Sequence, residues 1–325
     1  MEIVLSVITV NYNGLNDTCE MIDSITFSDD MEVIVVDNGS AADEASVLEH
    51  RYPQVRVVRS TQNLGFAGGN NLGIRAARGR YLFFANNDTL LGGSGSAPLV
   101  AALHPIIDRM EHTPAIGAVC PKIRFAWGDR PLQFAGYTPL SAVTLRNRSI
   151  GFGEADRGQY DSPHATPYAH GAAMLLRREA VEKAGMMPEC YFLYYEELDW
   201  SLMLRRAGYE IWYDPSFTVC HKESRTTGQE SPLRTYYITR NRLLFARRNI
   251  PLPRLLLTLA YLLLAVAGRD MACHALHRRR AHCKAVAQGV SDFMLGKTGR
   301  LKMEDGRWKI GDGRWKMEDG RLIED

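Results

Sequence analysis

The sequence has few cysteines and none of the spacings that bind zinc or form redox pairs. None of the six cysteines belongs to a CxxC pair, which excludes a zinc ribbon and a thioredoxin-type centre. The pattern is typical of reduced, structural thiols in a cytosolic protein. A signal peptide is not expected either, because Glu2 occupies the place of a basic n-region and residues 11–14 (NYNG) do not form a cleavage site.

Two common nucleotide-binding motifs are missing as well. The glycine-rich run 63–71 (NLGFAGGNN) has neither the spacing of a Rossmann fingerprint nor its position after the first strand. No Gly-Lys-Ser/Thr follows it, as it would in a Walker loop. A nicotinamide-dependent dehydrogenase and a kinase are therefore disfavoured.

Long apolar runs are also missing. The run 255–267 has 13 residues, whereas a membrane-spanning helix needs about 20. A helix lying in the membrane interface, a re-entrant segment or a core helix fits this run better.

Positive charge is unevenly distributed along the chain. The net charge is −8 over residues 1–221 and +11 over residues 222–300. A basic band beside an apolar run predicts contact with an anionic membrane surface or an anionic acceptor. Nucleic acid is the weaker interpretation, because no recognised nucleic-acid-binding motif accompanies the band.

Strand and helix patterns alternate through the chain, which predicts an α/β fold with a parallel, doubly wound sheet. Strands are expected at 3–10, 31–36, 55–59, 81–85, 116–120, 171–176 and 209–213. Helices are expected at 15–27, 41–50, 69–77, 98–110, 178–184 and 196–207. The last strand is expected to end at Asp214-Pro215.

Three regions follow from these patterns. Residues 1–225 are expected to form one α/β region, divided at about residue 120. Residues 226–298 are expected to form a basic, helical, membrane-associated region. Residues 299–325 repeat a seven-residue unit that starts with glycine, and such a charge-balanced repeat predicts a disordered tail.

Polar residues follow three apolar runs of the predicted sheet. They are residues 37–40 (DNGS), the run 63–71 and residues 86–89 (NNDT). Because open α/β sheets bind ligands at the carboxyl ends of their strands, this edge is expected to bind a nucleotide and a metal. An ordinary turn also explains Asp37 or Asp88 taken alone, and the glycines are expected to let a ligand approach the backbone.

A second acidic cluster begins a predicted helix. Glu196, Glu197 and Asp199 lie in its first turn, where the helix dipole alone favours acidic side chains. The aromatic run 191–195 before them suggests a partly buried surface, so one of these carboxylates could act as a general base.

Together these segments resemble the family-2, GT-A-fold, inverting glycosyltransferases, in particular the rhamnosyltransferase-like branch of bacterial O-antigen and cell-wall assembly. The resemblance covers residues 3 to about 225, and more loosely continues to residue 300. It implies that residues 1–225 form the catalytic domain, with a donor half to about 120 and an acceptor half after it. The matching motifs are 7–13 (VITVNYN), 35–40 (VVDNGS), 63–71 (NLGFAGGNN), 86–88 (NND), 196–200 (EELDW) and 205–209 (RRAGY).

The resemblance implies roles for particular residues. Nucleotide or donor contacts are implied for Thr9, Asn11, Asp37, Asn63, Gly65, Asn70 and Asn87. The metal-binding residues are implied to be Asp88 and His221, with Mg²⁺ or Mn²⁺ as the cofactor. Glu197 resembles the general base, and Glu196 and Asp199 remain alternatives because the sequence reads Glu-Glu where the family has Glu-Asp. The metal motif departs from the family too, since it has a single carboxylate.

The implied reaction moves a sugar from a nucleotide-diphosphate donor to a glycan or polyprenyl-linked glycan acceptor, with inversion. Only the branch that the chain resembles suggests rhamnose. The protein is expected in the cytoplasm, attached peripherally to the inner face of the cytoplasmic membrane, without a nucleic-acid partner. Two alternatives stay open: a catalytically inactive sugar-nucleotide-binding protein, and a nucleotidyltransferase, although residues 11–14 lack the basic residues that the latter needs.

Overall fold

The computed structural model describes residues 2–92, 97–141, 143–223 and 231–301, and the backbone of 303–304, 307–310, 313–318 and 321–324. The chain forms two compact units. Unit 1 comprises residues 1–139, 148–187 and 200–223, and unit 2 comprises residues 140–147, 188–199 and 224–325. Two internal segments of the predicted catalytic region therefore belong to unit 2.

A mixed β-sheet forms the centre of unit 1. Its main strand order is β3-β2-β1-β4-β9-β6-β10-β5, while β7 pairs with β6 and β8 pairs with β10. The strands are β1 Leu5–Asn11, β2 Met31–Asn38, β3 Arg56–Ser60, β4 Tyr81–Ala85, β5 Thr89–Leu90, β6 Ile116–Phe125, β7 Leu132–Phe134, β8 His164–Ala165, β9 Ala173–Arg177 and β10 Glu210–His221.

The first four strands of this order are parallel, whereas β9 is antiparallel to both of its neighbours, β4 and β6. The four apolar residues 33–36 of β2 have no exposed surface, as expected of a strand covered by helices on both faces. The predicted α/β class is confirmed.

Helices cover the sheet. Their bounds are α1 Leu15–Asp23, α2 Glu44–Arg51, α3 Gly65–Ala76, α4 Leu99–His112, α5 Arg178–Ala184 and α6 Glu196–Arg206. All six cysteines of the chain are free thiols, as the sequence predicts.

Helix α3 differs from its prediction, because it begins at Gly65 rather than at residue 69. Most of the glycine-rich run is therefore helical. A Cβ atom on Gly69 would lie 2.8 Å from Cγ1 of Val10, and one on Gly73 would lie 2.3 Å from Cγ2 of Ile8. These two glycines allow the helix to pack closely on β1, so close approach of a ligand does not explain Gly69.

Strand β10 does not end at Asp214-Pro215 but continues to His221. Proline cannot donate a ladder hydrogen bond, and the register with β6 shifts between Asp214 and Thr218. The buried Asp214 carboxylate stabilises this irregularity by accepting hydrogen bonds from the Ser216 backbone N–H at 2.9 Å and from Arg109 Nε at 2.7 Å. Because the strand continues, His221 lies at its carboxyl end.

Unit 2 contains three further helices, α7 Pro232–Asn249, α8 Arg254–Leu276 and α9 Arg280–Met294. Its apolar core contains Phe192, Leu233, Tyr236, Tyr237, Ala285 and Leu301. Leu301 is only 5% exposed, and its backbone N–H donates to the Tyr237 hydroxyl at 2.9 Å. The first three residues of the repeat region, 299–301, thus belong to the folded unit.

Helix α8 is longer than the 13-residue run that the sequence analysis singles out. It extends over 23 residues, with a π-helical stretch at Tyr261–Ala267, because neither Gly268 nor the charged pair Arg269-Asp270 ends it. By length and composition it could cross a membrane, and 22% of its most apolar stretch is buried within the protein. The prediction that this segment is too short to span is therefore wrong.

The tail contains four short antiparallel strands in the order β11-β12-β13-β14, at Met303–Glu304, Arg307–Ile310, Gly313–Glu318 and Arg321–Glu324. In this register Trp308 of one repeat lies opposite Trp315 of the next. The described backbone thus differs from the disorder that the repeat predicts. Alternation of polar and apolar residues within each repeat, as in residues 314–318 (RWKME), favours strands.

Candidate functional site

The carboxyl ends of β1 and β2 bring Asn11 and Asp37 together as register partners. Asn11 Nδ2 donates to Asp37 Oδ1 at 3.1 Å, and Ser40 Oγ donates to the same oxygen at 2.5 Å. Thr18 Oγ1 donates to Asn11 Oδ1 at 2.8 Å. The Asp37 carboxylate, 7% exposed, is therefore held in one orientation at the ligand edge of the sheet.

A second carboxylate, which the sequence analysis does not single out, belongs to this cluster. Glu44, in the first turn of α2, accepts from Asn11 Nδ2 at 2.7 Å and from the Gly14 backbone N–H at 3.2 Å. In the sequence Glu44 is an ordinary acidic residue at a helix start. Only the fold shows that it shares Asn11 with Asp37.

Thr9 lies two residues before Asn11 on β1, so both side chains project from the same face of the sheet. Thr9 is fully buried, and its Oγ1 has no hydrogen-bond partner among the described residues. Its hydroxyl is thus an unused donor and acceptor beneath the cluster.

Asn38 fixes the turn that leads into α3. Its Oδ1 accepts from the Leu64 backbone N–H at 3.0 Å, and its Nδ2 donates to the Gly65 carbonyl at 3.1 Å. Asn63 Oδ1 accepts from the Gly65 N–H at 2.8 Å, and Gly65 has a φ of +75°, a conformation that favours glycine. Asn63 and Gly65 therefore lie at the edge of the sheet next to β2.

Asn70 is buried and Asn87 is half-buried, and both side-chain amides already have protein partners. The Asn70 side chain, 2% exposed, donates to the Phe66 carbonyl at 3.0 Å within its own helix. Asn87 Nδ2 donates to Thr18 Oγ1 at 3.1 Å and so holds the start of α1. In the present geometry both amides have protein partners, and a donor contact would require them to exchange these partners.

Asp88 and His221 lie together at the ends of β4 and β10. His221 Nε2 is 3.1 Å from Asp88 Oδ1, and both side chains are more than nine-tenths buried. The other ring nitrogen, Nδ1, lies 2.8 Å from Gln133 Oε1, which makes Nδ1 the donor. A neutral ring then presents its Nε2 lone pair to Asp88 Oδ1, and two acceptors at this distance require a proton or a cation between them.

A divalent cation fits this pair of residues. Asp88 Oδ2 is buried and has no partner among the described residues, so the carboxylate has unused capacity as an acceptor. No group of three or more His, Cys, Asp or Glu side chains in the described part of the chain is arranged to hold a metal. The remaining ligands would therefore be substrate phosphate oxygens and water, as is common for Mg²⁺.

The acidic cluster of unit 2 lies in the first turn of α6. Asp199 is fully buried, and its Oδ2 accepts from Arg248 Nε at 2.6 Å and from the Tyr191 hydroxyl at 3.0 Å. Arg248 is partly exposed while Asp199 is buried, so the two contacts compensate the buried charge of Asp199, and this carboxylate contributes to the packing of unit 2.

Glu196 and Glu197 are in a different electrostatic situation. Burial raises the pKa of Glu196 well above its ordinary value, and the neighbouring Glu197 raises it further. Burial also raises the pKa of Glu197. Glu196 is 3% exposed, with an unpartnered Oε2, whereas Glu197 is half-buried. Only Glu197 therefore combines solvent access with a basicity above that of an ordinary carboxylate.

The backbone before these acids is strained. Phe192, Tyr194 and Tyr195 have φ values of +71°, +67° and +80°, a region that costs a non-glycine residue about 1–3 kcal/mol. Asn241 Nδ2, which is fully buried on α7, donates to the carbonyls of Tyr191 at 3.0 Å, Leu193 at 2.6 Å and Tyr194 at 3.1 Å.

Arg240 supports the same segment. Its Nη2 donates to the Tyr191 carbonyl at 2.8 Å, and its Nη1 donates to the Gly299 carbonyl at 2.8 Å. We call Arg240 and Asn241 the α7 clamp. The clamp fixes the strained segment 191–195 that leads directly into Glu196 and Glu197.

Comparison with known proteins identifies the family. The family model described as glycosyl transferase family 2 matches residues 6–185. The chain belongs to this family.

Two curated relatives of this family-2 glycosyltransferase resemble it over most of their length. The low-salt glycan biosynthesis hexosyltransferase Agl10 of Haloferax volcanii is 27% identical over 245 residues, which cover 74% of each chain. The N-acetylglucosaminyl-diphospho-decaprenol L-rhamnosyltransferase of Mycobacterium tuberculosis is 27% identical over 251 residues, which cover 70% of this chain and 78% of the relative.

Solved structures share the GT-A-like fold of this glycosyltransferase. The mannosyltransferase PcManGT from Pyrobaculum calidifontis, in complex with GDP-Man and Mn²⁺, has a TM-score of 0.54 at 17% identity and covers 90% of this chain and 87% of its own. GalNAc-T7 with UDP, GalNAc and Mn²⁺ has the same TM-score at 14% identity, with coverages of 67% and 44%. At these identities the likeness concerns the fold alone.

Four residues of this glycosyltransferase stand out only in the structure: Glu44, Gln133, Asn241 and Arg248. Gln133 orients His221 from 88 residues away in sequence, and Asn241 holds the Tyr191 carbonyl from 50 residues away. No local pattern marks such long-range partners.

Proposed function

We propose that this glycosyltransferase moves a hexosyl unit, with L-rhamnose as the first candidate, from a nucleoside-diphosphate donor to a hydroxyl of a lipid-linked glycan, with inversion. The observation that carries the proposal is the buried Asp88 carboxylate, which has an unpartnered oxygen and lies 3.1 Å from His221. Rhamnose and a lipid-linked acceptor are supported by the name of the mycobacterial relative.

The donor nucleotide would bind at the ends of β1 and β2. Asp37 and Glu44 are carboxylates already oriented by Asn11, and they can accept hydrogen bonds from the N–H of a base and the hydroxyls of a ribose. Asn63 and Gly65 would border the same ligand.

Asp88 and His221 would hold a divalent cation, Mg²⁺ or Mn²⁺. When bound there, the cation supplies charge neutralisation for the diphosphate leaving group. Asp88 contributes a carboxylate, His221 contributes Nε2, and Gln133 keeps the imidazole in the tautomer that leaves Nε2 free to bind.

Glu197 would be the general base. One of its carboxylate oxygens accepts the proton of the acceptor hydroxyl while the hydroxyl oxygen forms the new bond to the anomeric carbon. The bond to the nucleoside diphosphate breaks on the opposite side, which inverts the anomeric centre. The raised pKa of Glu197 suits a base that works near neutral pH, whereas the Arg248 and Tyr191 contacts of Asp199 make that carboxylate the weaker candidate.

The basic C-terminal region would attach the enzyme to the cytoplasmic face of the membrane. Leu256, Leu257 and Leu264 of α8 are 63%, 60% and 80% exposed, and arginines stand at 254, 269 and 278–280. Apolar burial would hold the helix in the interface, and each basic residue near an anionic leaflet adds about 1 kcal/mol.

Liposome flotation tests this attachment. We expect flotation with anionic vesicles that weakens as salt increases; flotation that resists both salt and carbonate would instead indicate a spanning helix. Protein that remains at the bottom with anionic vesicles at low salt contradicts the proposal.

A thermal-shift screen tests the donor. Nucleoside diphosphates and nucleotide sugars are added with Mg²⁺, Mn²⁺ or EDTA, and a ligand at 100 times its Kd should add about 2.7 kcal/mol of stability. We expect one diphosphate series to stabilise the protein only with metal, and the best donor to be consumed when acceptor is present. Binding without transfer would instead indicate the inactive sugar-nucleotide-binding protein.

A further inference from the structure

Two aromatic side chains on unit 1 are exposed although their neighbours are ordered. Trp127 is 54% exposed and Phe152 is 59% exposed, and no other aromatic side chain within the described ranges of 2–301 is as open to solvent. A single exposed apolar side chain is ordinary, whereas a contiguous exposed apolar patch marks an interaction site.

A buried third ring holds both of them. Phe125 is 2% exposed; its ring centroid lies 4.6 Å from that of Trp127, and 5.5 Å from that of Phe152 in an edge-to-face arrangement. We call Phe125, Trp127 and Phe152 the aromatic platform. Phe125 thus contacts both outer rings from a buried position on β6, and aromatic pairs of this kind are favourable.

The backbone around the platform is fixed as well. The Arg130 N–H donates to the Trp127 carbonyl at 3.0 Å, which closes the turn between β6 and β7. Phe152 stands between Gly151 and Gly153, whose φ values are +75° and +79°, and the Gly153 N–H donates to the Leu132 carbonyl at 2.8 Å. The two exposed rings therefore belong to a built surface.

The platform adjoins the Asp88–His221 pair. Phe125 and His221 are register partners on the neighbouring parallel strands β6 and β10, and the Ala126 N–H donates to the His221 carbonyl at 2.9 Å. Partners in register project from the same face of a sheet. Trp127 lies two residues after the end of β6, and its ring stays next to that of Phe125, with the two centroids 4.6 Å apart.

We propose that the aromatic platform is the subsite for a sugar ring of the acceptor, with the apolar C–H face of a pyranose stacked on Trp127 and its edge against Phe152. This inference rests on the proposed glycosyl transfer. A sugar ring has one apolar face and a rim of hydroxyls, so it matches an open ring surface beside polar groups better than a fully apolar partner does. The platform would orient the acceptor, while the chemistry stays with other residues.

Two substitutions at position 127 separate stacking from simple apolar contact. Trp127→Leu keeps an apolar side chain without a ring, and Trp127→Phe keeps a smaller ring. We expect Trp127→Leu to raise the acceptor KM about tenfold, the loss of one aromatic contact of about 1.4 kcal/mol, and Trp127→Phe to raise it much less. The donor KM and the rate of donor hydrolysis should stay unchanged in both, and Val47→Ala, an exposed apolar change on α2, serves as the matched control.

A binding measurement that needs no activity keeps this test independent of the proposed function. Saturation-transfer NMR with the methyl β-glycosides of N-acetylglucosamine, glucose and rhamnose should show transfer to ring C–H protons in the wild type and a loss in Trp127→Leu. If glycosides bind in a way that depends on the Trp127 ring but no sugar is transferred, the platform is still a sugar-binding subsite and the proposed function is contradicted. Three results would contradict the acceptor subsite. The acceptor KM could be unchanged in Trp127→Leu, no glycoside could show binding that depends on the ring, or the variant could lose only vesicle binding.

Discussion

Replacing Asn241 by alanine should both destabilise unit 2 and slow the enzyme. The amide has two N–H protons that serve three carbonyl acceptors, on Tyr191, Leu193 and Tyr194. Leaving a buried acceptor unsatisfied costs about 1–3 kcal/mol, and the Tyr191 carbonyl keeps its bond from Arg240. We therefore expect the variant to lose about 2–4 kcal/mol of unfolding free energy, a large part of a typical total of about 5–15 kcal/mol.

Asn241→Ala should lower kcat by more than the loss of folded protein alone explains. Without the clamp, Tyr194 and Tyr195 can leave their positive-φ conformations, each of which costs about 1–3 kcal/mol, and Glu197 then loses its fixed orientation. A misplaced base lowers kcat and leaves the donor Kd unchanged. The measurement is kcat at saturating donor, taken at a temperature where near-UV circular dichroism shows the variant to be folded.

A second asparagine of α7 provides the control. Asn249 donates to the Phe245 carbonyl of its own helix at 3.1 Å, so Asn249→Ala removes an asparagine of the same helix without touching the carbonyls of 191–195 and should preserve kcat. An Asn241→Ala variant with wild-type kcat and a stability within about 0.5 kcal/mol of the wild type would refute the proposed role of the clamp.

Three further predictions concern other parts of the molecule. Asp88→Ala should abolish both transfer and the metal-dependent thermal shift by the donor; wild-type turnover in the variant, or wild-type activity that EDTA leaves unchanged, would contradict the metal assignment. The Glu196 carboxyl has a raised pKa in the folded state, so its own contribution to stability is fully present below the ordinary carboxyl pKa and is lost as pH rises through the folded-state pKa; Glu196→Gln should flatten this part of the pH dependence in urea unfolding from pH 5 to 8, and an unchanged slope would refute it. Deleting residues 302–325 should leave kcat and KM unchanged, and a large loss on lipid-linked acceptor would show that the tail has a role.

Strands β1, β2 and β4 could be predicted from sequence because each is a largely apolar run. Strand β4 matches its predicted bounds, and β1 and β2 differ from theirs by at most two residues at either end. Such runs report burial on both faces of a sheet, which is a local property of the sequence.

The start of α3 and the end of β10 could not be predicted from local pattern. Glycine normally weakens a helix, but Gly69 and Gly73 are where α3 packs onto β1, and this tertiary contact outweighs propensity. Proline normally ends a central strand, yet Asp214 and its partners allow β10 to continue past Pro215 to His221.

The candidate site was predictable in part. Asn11, Asp37 and Asp88 follow apolar runs, so their place at one sheet edge could be inferred from the chain itself. Gln133, Glu44 and the α7 clamp could not be inferred, because each acts on a residue that is distant in sequence and only the fold brings the two together. The roles of these residues are visible only in hydrogen bonds between distant parts of the chain, and a single sequence carries no signal for such bonds.

The most direct test of the account is the single-turnover rate of sugar transfer by Glu197→Gln, using the donor selected in the thermal-shift screen. The amide keeps the size of the side chain but cannot accept a proton, so we expect a rate about 10²–10⁴ lower, with the donor Kd unchanged by calorimetry. Asp199→Asn is measured beside it, at a temperature where that variant is folded. A Glu197→Gln enzyme that transfers sugar at close to the wild-type rate would contradict the assignment of Glu197 as the general base.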